Sequence, residues 1–238
     1  MAGGHYIALS GMRTRIDELD RLAADLANAG TSGYKGERTG HENVPRPFEA
    51  ALATAIDVST GSRRLDVRPG VIADTGRPLD IAIEGPGFLT VQTPEGLRYT
   101  RNGHLTQAPD GTLTTMDGAT VMGTDGPLKL GKGDIQIEAD GSIRTGETPV
   151  GKLAIVEFDT PEQLVRDGGA LLNASGQTPA AATASQVKAG KIEGSNVSVV
   201  DRVAELTSVS RSFEALQKAV SVLMNDIDGR TIDYMARK

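Results

Sequence analysis

The sequence predicts an α+β protein in which paired, coiled-coil-like N- and C-terminal α-helices bracket an inserted antiparallel all-β domain. Three observations predict it. Apolar residues recur at heptad spacing near both ends, the period drops to two between them, and Asp-Gly and Asn-Gly pairs punctuate that middle region. The expected division is a terminal helical assembly domain of residues 1–36 and 191–238, a linker at 37–64 and a β domain at 65–190.

At the N-terminal end, Leu9, Met12, Ile16, Leu19, Ala23 and Leu26 step by 3, 4, 3, 4 and 3, with Leu22 widening the stripe. Gly30, after Asn28 and Ala29, is the expected left-handed stop of this helix. The polar run TSGYKGERTG that follows reads as a linker, with Pro45 and Pro47 beyond it. Residues 48–56 (FEAALATAI) could form a short helix.

From about residue 65 to 158 the chain alternates. Leu79, Ile81 and Ile83 take every second position, as do Ile135 and Ile137, and Phe88 and Val91 follow less cleanly. Asp-Gly occurs at 110–111, 117–118, 125–126 and 140–141, and Asn-Gly at 102–103. These pairs tolerate positive φ, which tight hairpins require. Many short strands so spaced predict a sandwich or irregular barrel. Residues 160–166 could add one helical turn, and 175–196 read as an extended return to the last helix.

That last helix is predicted over residues 198–227, a stretch without Gly or Pro that would span about 45 Å at about 1.5 Å per residue. Val209, Phe213, Leu216, Val220, Leu223 and Ile227 step by 4, 3, 4, 3 and 4. Val199, Val203 and Leu206 start the same pattern, but the step from Leu206 to Val209 is three where four was due, a local change of phase. Ser198 with Asp201 suggests a capping box. One narrow stripe on so long a helix needs a partner, either the N-terminal helix of the same chain or helices of other copies.

The 238 residues allow one large or two modest domains, with a lean core: 38% hydrophobic, 3% aromatic, no Trp. The net charge of −6 disfavours nucleic-acid binding, and all of it lies in residues 37–196, leaving the two ends neutral and mixed in sign. Such ends suit packing against copies of themselves. With no Cys there is no disulfide frame or thiol site. No apolar run is long enough to insert in a membrane, and Arg13, Arg15, Asp17, Glu18 and Asp20 interrupt any secretory signal.

Chemistry is scarce. His5, His41 and His104 stand far apart without a second ligand at metal spacing, and His104 reads as a turn residue. Residues 126–133 (GPLKLGKG) and 146–153 (GETPVGKL) have the phosphate-loop spacing, but Gly133 and Leu153 replace the Ser/Thr that would hold magnesium. Both therefore read as turns. No nucleophile elbow or dinucleotide fingerprint is present, so neither an enzyme nor a cofactor is expected.

Three stretches resemble the flagellar basal-body rod and hook family of axial proteins. They are residues 8–38 (ALSGMRTRIDELDRLAADLANAGTSGYKGER), 75–123 (beginning TGRPLDIAIEGPGFLTV) and 191–216 (KIEGSNVSVVDRVAELTSVSRSFEAL). The length and the tail GRTIDYMARK look closer to the proximal rod protein of that family than to distal rod or hook members. Asp25 and Gly30 stand where the family more often has Asn, Tyr34 replaces a usual Phe, and Leu89 replaces the second aromatic of Gly-Phe-Phe. The resemblance implies a periplasmic, torque-transmitting axial subunit, exported by the flagellar type III apparatus without a cleaved signal peptide. Its partners would be copies of itself and other rod proteins, engaged through Leu9, Met12, Ile16, Leu19, Ala23 and Leu26 and through Val203, Leu206, Val209, Phe213, Leu216, Val220, Leu223 and Ile227. A distal rod or hook protein, or a secreted β-domain binding module, are the alternatives.

Overall fold

The computed structural model describes residues 2–39 and 63–236, with side chains described at 11–38, 63–218, 220 and 221. The helix anticipated at 48–56 lies outside the described residues. The chain is α+β, with one long helix towards each end and a mostly antiparallel β region between them. It divides into two compact units, one containing both helices and the other containing residues 28–38 and 64–197.

Helix α1 spans Ala2–Ala27 and helix α2 spans Val199–Ala236, 26 and 38 residues. At about 1.5 Å per residue they measure about 39 and 57 Å. Ser198 caps α2 as its spacing suggests: its Oγ accepts the Asp201 backbone N–H at 3.4 Å, and the Asp201 carboxylate sits in the first turn, where the helix dipole favours a negative charge. The helix runs past Ile227 and through Gly229, because one glycine weakens a helix by about 1 kcal/mol without stopping it. The end of α1 differs from expectation. Gly30 is not in the left-handed region; the left-handed glycine is Gly33, at φ 66°. Beyond Ala27 the chain turns at Asn28, whose carbonyl oxygen accepts the Thr31 N–H at 3.0 Å and whose Oδ1 accepts the Thr31 hydroxyl at 3.2 Å.

The β unit is built around the hairpin Phe88–Thr93 and Gly96–Thr100, turned by Pro94-Glu95. Thr120–Gly123, Leu113–Thr115 and Leu105–Gln107 extend the sheet on one side, and Leu171–Asn173 with Val165–Arg166 on the other, every pair antiparallel. The Asp-Gly turns fold as their chemistry dictates, with positive φ at Gly111, Gly118, Gly126 and Gly141. In two of them the aspartate closes the turn itself. Asp110 accepts the N–H and hydroxyl of Thr112 at 3.0 and 2.8 Å, and Asp140 accepts those of Ser142 at the same distances. Asn102-Gly103 is different. Gly103 lies against the backbone of Ile81, where an added Cβ would come 1.7 Å from the carbonyl oxygen, so the position demands glycine for close approach and not for a hairpin.

The alternation at 79–83 proves incomplete. Strand Ile81–Glu84 buries Ile81, Ala82 and Ile83 together, so both of its faces are covered, and Gln186–Ala189 pairs along its edge. The first phosphate-loop near-miss includes the short strand Gly126–Pro127, paired to Thr120–Gly123. The second is more than a turn. It includes Thr148–Lys152, the outer strand of a three-stranded sheet with Ser142–Thr145 and Ile135–Ile137. A single 3-10 turn, Pro161–Gln163, occupies the helical turn anticipated there, and the return segment is woven in through Ala180–Ala181, Gln186–Ala189 and Lys191–Glu193. Two apolar clusters form the core. The larger gathers Ile81, Leu89, Val91, Leu105, Leu113 and Val121; the smaller stacks Phe158 edge-on against Tyr99 and Phe88, with centroids 4.8 and 6.0 Å apart.

Candidate assembly surface and the clasp of the β unit

Within the helical unit, α1 and α2 run antiparallel. Asp25 meets Arg202 near one end, and Gly11 lies against the Leu216 side chain further along. The face that α2 covers passes through Arg202, Leu206, Val209, Phe213, Leu216 and Val220, all buried or half-buried. Those positions step by 4, 3, 4, 3 and 4 without interruption. The change of phase read between Leu206 and Val209 is therefore absent from this face: the heptad slot before Leu206 is held by an arginine, not by Val203. Val199, Val200 and Val203 are left 50%, 79% and 45% exposed. On α1 the covered residues are Arg21, Leu22 and Asp25, while Met12, Leu19 and Leu26 are half-buried and Ile16 and Ala23 exposed. The side chains of Leu9, Leu223 and Ile227 lie outside the described residues.

The run TSGYKGERTG is not a simple linker. Gly33, Tyr34, Lys35 and Gly36 are buried in the β unit. Lys35 donates to Glu193 Oε1 at 2.5 Å and to the Arg68 carbonyl oxygen at 2.9 Å. Glu193 also accepts the Gly70 N–H at 2.9 Å and faces Arg101 at 3.4 Å. Arg101 crosses the Phe88 ring at 5.0 Å and donates to the carbonyl oxygens of Ile83 and Gly85. Arg166 lies 4.4 Å over the Tyr34 ring and donates to the Lys35 carbonyl oxygen at 2.8 Å. Asn196 closes the set: its Oδ1 accepts the Gly36 N–H at 2.9 Å and its Nδ2 donates to the Asp66 carbonyl oxygen at 2.7 Å. Three stretches distant in sequence, 33–36, 66–70 and 193–196, are thus clasped by one buried ionic cluster. Burial pushes the Lys35 ammonium below the usual lysine range, and Glu193 opposes that shift.

The cluster offers positioning, with no nucleophile beside a base. Its sequence signal was a Gly-Tyr-Lys inside a polar run, an aromatic and a long cation where a solvated linker needs neither. His104 sits apart from it, with Nδ1 3.4 Å from Asp80 and Nε2 2.9 Å from Arg77, joined to Asp80 by a β-bridge. The side chains of His5 and His41 lie outside the described residues. Among the described residues no helix is long and apolar enough to cross a membrane.

Two family models match the chain: the flagellar hook protein FlgE/F/G D1 domain over residues 82–147, and the flagellar basal body rod FlgEFG protein C-terminal region over 188–227. The flagellar basal-body rod protein FlgF of Caulobacter vibrioides is 32% identical over 221 residues, covering 90% of each chain. FlgF of Salmonella typhimurium is 33% identical over 240 residues, covering 94% of this chain and 95% of its own. This chain belongs to the FlgF family of flagellar basal-body rod proteins. Similarity to the flagellar hook protein FlgE of Brucella abortus is narrower, 37% over 101 residues and 24% of that protein. The D1 match lies within the β unit, and the C-terminal match runs from the clasp strand Lys191–Glu193 into α2, taking in Glu193, Arg202 and Leu216.

Proposed function

We propose that this chain is a structural axial subunit of the flagellar basal-body rod and not an enzyme. The observation that carries this reading is similarity to rod proteins over nine-tenths or more of both chains. In the rod, the helices pack in coiled-coil fashion against those of neighbouring copies and other rod proteins, and the assembly passes torque from motor to hook. The apolar residues Ile16, Val199, Val200 and Val203, left exposed on the helices, supply area for such packing. The subunit works in the periplasm after passage through the flagellar type III apparatus.

The test is biochemical. Hook–basal bodies are isolated from cells carrying an epitope-tagged copy of the chain and from cells lacking it. The expected result is tag retained in the purified rod, and no complete rod in the deletion strain. Intact rods without the chain, and no tag in them, would refute the proposal.

A further inference from the structure

Asp25 is 0% exposed, and its Oδ2 lies 3.2 Å from Nε of Arg202 and 3.6 Å from the guanidinium of Arg21. Arg202 also holds Glu205 at 2.6 Å. A carboxylate is thus buried between two arginines, one from each helix. It occupies the end of an otherwise apolar seam, where Arg202 takes the heptad slot next to Leu206.

An apolar seam alone does not fix a register. The steps through Leu206, Val209, Phe213, Leu216 and Val220 repeat every seven residues, so α1 displaced by one heptad would find the same holes. A charge in the seam removes that degeneracy. Displaced towards the C-terminus by seven residues, Asp25 would face Val209 with its charge buried and unmatched. Displaced the other way, it would face Ser195, before α2 begins. We propose that the Asp25–Arg202 pair, with Arg21, is the register and partner lock of the helical unit: it commits α2 to one alignment with α1 and rejects helices that present the same apolar seam without the matching cation. The lock deepens the reading of these helices as assembly elements and names the chemistry by which a helix is accepted.

The chain has no cysteine, so introduced thiols report register cleanly. In purified full-length protein, Gly11→Cys is combined with Leu216→Cys, which reads the observed alignment, or with Leu223→Cys, which reads the one-heptad slip that sets Asp25 against Val209. A short bis-maleimide bridges the thiols. The native background is expected to favour the 11–216 bridge by about tenfold. Asp25→Arg alone or Arg202→Asp alone is expected to abolish that preference, while circular dichroism verifies retained helix and a normally melting β unit. The double exchange Asp25→Arg with Arg202→Asp again places one carboxylate between two arginines, and is expected to restore it. No 11–216 preference in the native background, an undiminished one in either single reversal, or failure of the exchange to restore it would each overturn the lock. The bridge is read without any flagellum, so the lock and the rod proposal fail separately: tagged chain absent from basal bodies alongside a restored bridge would sink only the latter.

Discussion

Replacing Glu193 by alanine removes the centre of the clasp, and the structure sets the size of the effect. Glu193 is 1% and Lys35 3% exposed, so the variant leaves the Lys35 ammonium buried with the Arg68 carbonyl oxygen as its remaining partner there, and leaves the Gly70 N–H without its acceptor. Arg101 suffers less, because it keeps the carbonyl oxygens of Ile83 and Gly85. Breaking a buried pair by deleting one partner costs about 3–5 kcal/mol. At about 2–4 °C per kcal/mol for a unit of this size, the melting temperature should fall by roughly 6–20 °C. Lys35 limits the loss by shedding its proton. Its folded pKa already lies below the ordinary 10.5, and without Glu193 it falls further. The unfolded chain then binds more protons than the folded one between the lowered value and 10.5, so stability rises with pH across that window and the deficit narrows. Thermal unfolding of the purified protein, followed by circular dichroism at neutral and alkaline pH, reads both effects. A melting temperature within 1–2 °C of native, roughly the width of a surface substitution, would refute the clasp.

Two further outcomes follow from the β unit. Gly33→Ala should destabilise it by at least about 1–3 kcal/mol, since Gly33 has φ 66° and an added Cβ would lie 2.2 Å from the backbone of Arg101 and Asn102; unchanged denaturant midpoints would contradict the packing. The Asp140 carboxyl is held down to about 2 by the Ser142 N–H and hydroxyl, with Lys152 assisting, so its contribution is full above the ordinary 3.8 and is lost as pH falls through about 2. An NMR titration should place its midpoint near that value, and Ser142→Ala should move it upward.

The fold class was legible because its signals are local. The Gly- and Pro-free periodic run of α2, the Ser198 cap and the Asp-Gly turns each depend on residues within one or two turns of chain, and the helix, the cap hydrogen bond and the turns each formed. The clasp was not legible. Lys35 and Glu193 are 158 residues apart, and the Gly-Tyr-Lys that marks the run as unlike a solvated linker does not name the carboxylate its lysine will meet. The inward face of α2 was misphased for a related reason. A charged residue in a heptad slot reads as a surface position until its counter-charge is known, so the sequence points to Val203 in place of Arg202 and gives no sign that Asp25 is buried. Gly30 reads as the helix stop because it follows Asn-Ala directly, whereas Asn28 and Thr31 turn the chain by hydrogen bonding and leave the left-handed conformation to Gly33.

The most direct test of assembly through the terminal helices compares neighbouring positions on α2. Leu216 is half-buried against Gly11, whereas Gln217 next to it is exposed. Leu216→Asp places a charge in the seam, at several kcal/mol for each buried and unpaired copy, and the defect recurs in every subunit. Gln217→Asp should change stability by no more than about 0.5 kcal/mol. Both variants are introduced into cells lacking the native chain, and secretion, basal-body structure and swimming are measured together. The expected result is normal secretion of both, with rods and motility lost in Leu216→Asp and kept in Gln217→Asp; a motile Leu216→Asp strain with intact basal bodies would contradict the account.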